Sequence, residues 1–128
     1  MAGISGGLKL NNSELEARNF LKKRGFCIQQ IDWIGEKAGK YIIFEIKERE
    51  LFEPPPFWGT GLNKSQLFLR NKLLKDLGIR TYMIVFTKDI VYGQYLDILE
   101  KKGKYFDTKN DIRIYDIESF KKLYNRNA

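Results

Sequence analysis

Glu45-Ile46-Lys47 carries the side chains of this chain best suited to chemistry. Two residues apart on a strand, Glu45 and Lys47 project from one face as neighbours. Asp32 stands 13 residues before Glu45, across a segment that reads as a tight hairpin, so a second carboxylate is expected beside the first. Ile43 shares that face, which is therefore no simple polar exterior, and an unpartnered carboxylate among apolar neighbours is costly. Carboxylates gathered in such a place share a cation or a proton. A Glu–Lys pair on a solvated strand means little alone; Asp32 is what turns the pattern toward a site.

Two absences narrow the chemistry. The sequence has no histidine, and Cys27 is its one cysteine. That removes Cys/His zinc sites, Ser-His and Cys-His nucleophile pairs and any histidine base. Carboxylates, lysines and a hard, oxygen-loving metal remain. An intrachain disulfide is impossible, in keeping with a reducing, cytoplasmic setting, and Cys27, in an apolar stretch, is expected as a small core residue. Lys and Arg number 23 against 16 Asp and Glu, a net charge of +7. A small basic protein attracts polyanions, nucleic acid foremost, although a basic domain with no such partner fits the charge as well.

The 128 residues, 43% apolar and 30% charged, suit one hydrophobic core. No apolar run nears the roughly 20 residues of a membrane helix, and MAGISGGLKL does not resemble a secretory signal. Residues 1–12 are expected as a flexible arm and 13–128 as a single domain.

The elements that must position the candidate residues follow from local pattern. Ser13 with Glu16 reads as a capping box opening a helix to about Arg24, closed by Gly25, with Ala17, Phe20 and Leu21 as its apolar stripe. Phe26–Ile34 reads as one strand or two short ones, Gly35–Lys40 as a hairpin turn and Tyr41–Glu48 as a strong strand. Residues 49–62, with Pro54, Pro55 and Pro56, read as a loop. A second helix is expected over Lys64–Leu77 behind Asn63 and ended by Gly78, burying Leu69, Leu73 and Leu77. The run to Phe86 reads as a buried strand. Strand, helix, strand in that order is a βαβ unit, so 41–48 and 80–86 should be parallel neighbours in a mixed sheet of an α/β fold. Beyond Thr87, Ile90–Leu99 fits strand or helix, Asp111–Ile117 a strand, and Glu118–Tyr124 a short closing helix.

Glu14, Asp32, Glu45-x-Lys47 and Gln66, in that order on those elements, resemble the PD-(D/E)XK nuclease superfamily. The layout is most similar to archaeal Holliday junction resolvases, which share a helix with a Glu ending in a Gly-Phe pair (here Gly25-Phe26) and a short hairpin between Asp and Glu-x-Lys. The resemblance covers about residues 13 to 87. It implies a restriction-endonuclease-like core of helix, β-hairpin plus third strand, crossover helix and strand. It further implies Mg²⁺, with Mn²⁺ as a substitute, held by Asp32, Glu45, the Ile46 carbonyl and Glu14. Lys47 would then orient or deprotonate the attacking water, and Gln66 would hydrogen-bond that water or Lys47. The implied activity is metal-dependent DNA endonuclease in recombination, repair or the life of a mobile element, structure-selective like a resolvase or else restriction-type or non-specific.

Plainer roles stand beside these. Glu14 in a first helical turn gains from the dipole anyway, Gln66 completes a capping box with Asn63, and Asp32 fits an ordinary turn. Lys37, Lys40, Lys64, Arg70 and Lys72 are candidates for phosphate contact, or a solvated face. Phe57 and Trp58 suit base stacking or packing against a second subunit. A homodimer would bring two sites to two strands. The rival readings are a non-catalytic nucleic-acid-binding module on the same scaffold and an interaction subunit whose basicity is incidental.

Overall fold

A computed structural model describes residues 11–48 and 50–127. The chain is mixed α/β, with a mixed five-stranded sheet on which the second and third helices pack, a second, three-stranded sheet, and a first helix that buries none of its residues, Phe20 of its expected apolar stripe included. Helix α1 spans Asn12–Lys23, and a hairpin follows: β1 (Trp33–Lys37) and β2 (Lys40–Glu48). Then come β3 (Gly59–Asn63), α2 (Lys64–Leu77), β4 (Arg80–Phe86), β5 (Ile90–Tyr95), α3 (Leu96–Lys102), β6 (Tyr105–Asp107) and β7 (Ile112–Asp116). A 3₁₀ turn at Ile117–Ser119 leads into β8 (Lys121–Asn125).

The larger sheet has the order β1-β2-β4-β5-β8, with β2 and β4 parallel and every other pair antiparallel. The expected βαβ crossover is present: α2 joins β2 to β4 after the chain has detoured through β3. The second sheet, β3-β7-β6, is antiparallel throughout. Between the two sheets lies the core, built on Leu62, Leu67, Met83, Val85, Leu96, Leu99, Tyr115 and Phe120.

Several expectations need correction. The first helix is capped two residues earlier than Ser13 suggests: the Asn11 side chain accepts the Glu14 N–H at 2.8 Å, and Glu14 Oε1 accepts the Asn11 N–H. Residues 11 and 12 therefore belong to the helix and its cap, while 1–10 lie outside the described residues. Residues 26–32 form no strand, because their polar groups are diverted to side chains: the Gln30 carbonyl accepts Arg70, and Asp32 itself takes a β2 N–H. The hairpin turn is the two residues Ala38 and Gly39, both at positive φ, as a twist-matched tight hairpin requires.

Residues 59–62, expected in a loop, form β3 together with Asn63. Glycine is what permits it: a Cβ on Gly61 would sit 1.7 Å from the Arg113 carbonyl oxygen of β7. On α2 the buried residues are Leu67 and Arg70, while Leu77 is exposed. Ile90–Leu99 is strand and then helix, and 121–125 forms an edge strand on β5 where a helix was expected. Cys27 is exposed, not a core residue. Among the described residues no helix is long and apolar enough to cross a membrane.

Candidate functional site

Strand β2 alternates along its length, and the side it buries is Ile43, Glu45 and Lys47. In the parallel ladder these three stand beside Thr81, Met83 and Val85 of β4, all buried. Glu45 and Lys47 are each only 3% exposed, so an acid and an amine are embedded two residues apart in the wall of an apolar core.

Asp32 reaches the same place through the hairpin. Trp33 pairs with Phe44 in the antiparallel register, and one further step sets Asp32 opposite Glu45. Where the ladder would continue, the Asp32 side chain replaces it: the Ile46 N–H donates to Asp32 Oδ2 at 2.8 Å. The carboxylate is thus anchored between the two β2 residues it was expected to join. Asp32, Glu45, Ile46 and Lys47 meet as one cluster.

The fifth member is Arg70, which the sequence reading placed against DNA phosphates. That assignment is corrected: Arg70 is buried and turned inward from α2. Its Nε donates to Glu45 Oε1 at 3.0 Å, its Nη2 donates to the same oxygen, and Nη2 also donates to the Gln30 carbonyl at 2.9 Å. Nη1 is enclosed with no hydrogen-bond partner among the described residues. Burial raises the Glu45 carboxyl above its ordinary range, and the nearby Asp32 charge adds to the rise; Arg70 and Lys47 oppose it without cancelling it. Only the register along α2 hints at this partner: Arg70 lies three residues after Leu67 and four before Leu74, on the stripe that faces the sheet.

Glu14 and Gln66 come together elsewhere. Both line a cleft of about 580 Å³ between α1 and the start of α2, along with Arg18, Lys22 and Gln30. Gln66 is in its capping role, its Oε1 accepting the Asn63 N–H, and Glu14 is likewise in a cap. Gln30 links this cleft to the buried cluster, since its carbonyl holds Arg70.

The remaining basic candidates are dispersed. Lys37 and Lys40 pair across the hairpin tip, some five residues and so roughly 16 Å along β2 from Glu45. Lys64 pairs with Asp107 at 3.8 Å, and Lys72 with Asp76 at 3.3 Å within α2. Trp58 is half exposed and lines a second cleft with Glu48, Glu50, Glu53, Lys88 and Arg126. Three carboxylates against two cations there disfavour a phosphate.

Asp32 and Glu45 with the Ile46 backbone offer hard oxygen donors. Among the described residues no group of three or more Asp, Glu, His or Cys could hold a metal ion. The set fits an ion that takes few protein ligands and keeps most of its water, as Mg²⁺ does. No protein-family model matches the chain, and no curated protein matches it.

Proposed function

We propose that this protein is a Mg²⁺-dependent DNA endonuclease built on a restriction-endonuclease-like core, with Asp32, Glu45 and Lys47 at its centre. The observation that carries the reading is the anchoring of Asp32 on the Ile46 N–H, between Glu45 and Lys47. Asp32, Glu45 and the Ile46 carbonyl would hold the cation. When bound, it supplies positive charge against the phosphate and makes water more acidic. Lys47 would orient or deprotonate the attacking water and pair with the phosphate. Glu14 and Gln66 serve from the adjoining cleft. A second copy in a homodimer would serve the opposite strand.

Purified protein should cut DNA in Mg²⁺ or Mn²⁺ and stop in chelator, with junction, flap, duplex and single-stranded substrates ranked by rate. Lys47→Ala and Asp32→Asn should each lower the cleavage rate by about 10²-fold or more while DNA binding persists. Undiminished cutting by both variants would defeat the assignment.

Arg70 favours a second reading. Glu45 already has a cationic partner, as it would in a module that binds nucleic acid without cutting it. Such a protein would show salt-sensitive binding and no metal-dependent turnover.

A further inference from the structure

Two clefts among the described residues differ in charge, and the difference bears on where a nucleic-acid strand would lie. The cleft beside Trp58 carries more carboxylates than cations. The cleft between α1 and α2 has the opposite balance: Arg18 and Lys22 against the single carboxylate of Glu14, with Gln29, Ser65 and Gln66 as neutral polar lining. Arg18 and Lys22 are four residues apart on α1 and so share a face.

Both cations are uncommitted. Among the described residues neither side chain takes part in a hydrogen bond or ion pair, and Arg18 Nε is shut off from solvent with no acceptor. Leaving an enclosed N–H unmade costs about 1–3 kcal/mol. Glu14, one turn before Arg18 and well placed to take it, is engaged instead with the Asn11 N–H. The Nη atoms of Arg18 are not among the enclosed atoms, and they can take an acceptor brought from outside that carries negative charge and several oxygens.

We infer that the α1–α2 cleft is a phosphodiester-binding channel in which Arg18 and Lys22 grip the backbone of a nucleic-acid strand next to the bond presented to Asp32 and Lys47. This inference rests on the nucleic-acid reading above but not on catalysis. Gln30, whose carbonyl is held by Arg70, lines the channel, so a strand in the channel lies beside the buried cluster.

The test is binding of fluorescently labelled single-stranded and duplex oligonucleotides in EDTA, so that nothing is cut, across a series of salt concentrations. Arg18→Gln and Lys22→Gln should each weaken binding roughly five- to tenfold at 0.1 M salt and reduce the log–log salt slope by about 0.7 to 0.9. Lys101→Gln, at the exposed end of α3, should leave both unchanged. Because Lys22 is exposed, its variant reports on binding even if the Arg18 variant folds poorly. Unaltered affinity and slope in both variants, with wild-type DNA binding intact, would overturn the channel while leaving the nuclease assignment to the Lys47 and Asp32 variants. Calorimetric binding of inorganic phosphate lost in Arg18→Gln, with DNA affinity untouched, would also overturn it, since the cleft would then serve a free anion. Absence of any DNA binding by the wild type would remove both readings together.

Discussion

Two of the arginine–carboxylate clusters among the described residues are built to opposite standards. Arg113 on β7 donates to Glu100 at 2.7 Å and to Asp107 at 2.9 Å, its guanidinium lies over the Tyr105 ring, and Glu100 also accepts the Tyr115 hydroxyl at 2.6 Å. That cluster reaches solvent, with Arg113 and Glu100 about one-fifth exposed. Arg70 and Glu45 are sealed from solvent, yet one guanidinium nitrogen goes unmatched. Arg113 holds the Asp107 carboxyl below its usual range, whereas Glu45 stays above its own in spite of Arg70. The rim pair has its partners satisfied, whereas the buried pair keeps its electrostatics unsettled, as the proposed active site would require.

The largest effect that separates the two comes from deleting each arginine. Arg70→Met leaves Glu45 buried without its counter-charge and should cost about 3–5 kcal/mol of unfolding free energy. Arg113→Met strips a part-exposed network whose carboxylates can turn to water, and should cost about 1–2 kcal/mol. Urea unfolding of the two variants side by side measures the gap. Equal losses would mean that the clusters do the same job.

How much of this was legible in the sequence depends on whether the signal was local. The alternation in Tyr41–Glu48 and the Asn63–Gln66 capping box with Gly78 at the helix end are written within a few residues, and β2, α2 and their parallel partner β4 follow from them. Asp32 beside Glu45 was legible too, because a short hairpin brings its two arms into register, although the turn is Ala38-Gly39 and not the whole of Gly35–Lys40. Strand β3 was not: Gly-Thr-Gly reads as loop until β7, some fifty residues later, demands close backbone approach. Glu118–Tyr124 reads as a short helix, because Lys121–Asn125, exposed throughout, is made a strand only by the edge of β5. Arg70 was misread for the same reason. A lysine or arginine on a helix is by default a surface charge, and what overrides the default is a carboxylate 25 residues away.

A smaller effect probes the inner edge of the rim cluster. Tyr115 is buried, and its hydroxyl is held by Glu100; this bond and burial raise its pKa far above the ordinary phenol range. Tyr115→Phe keeps the ring in the core and removes only the hydrogen bond. Loss of a bond to a charged acceptor should cost about 1.5 kcal/mol, limited by the access Glu100 has to water. A loss as large as that of Arg70→Met would place the rim cluster's strength in its buried edge, contrary to the contrast drawn above.

The smallest effect has a sign that pH can read. Hydrogen bonding from Arg113, and then the charges of Arg113 and Lys64, lower the Asp107 carboxyl below its ordinary value of 3.8. The native protein therefore binds this proton less readily than the unfolded chain. The stabilisation it brings is complete above the unfolded-state value and is lost as pH falls below about 3.8 through the native one. Asp107→Asn should remove this contribution, less than about 1 kcal/mol for so exposed a pair, and flatten the acid side of the stability curve. The variant and wild type should then differ at neutral pH and converge in acid. Thermal unfolding from pH 2.5 to 7 tests it. A difference that stayed constant would show that Asp107 binds its proton equally in the native and unfolded chains, and one that widened toward low pH would reverse the sign and show that the native protein holds it more tightly.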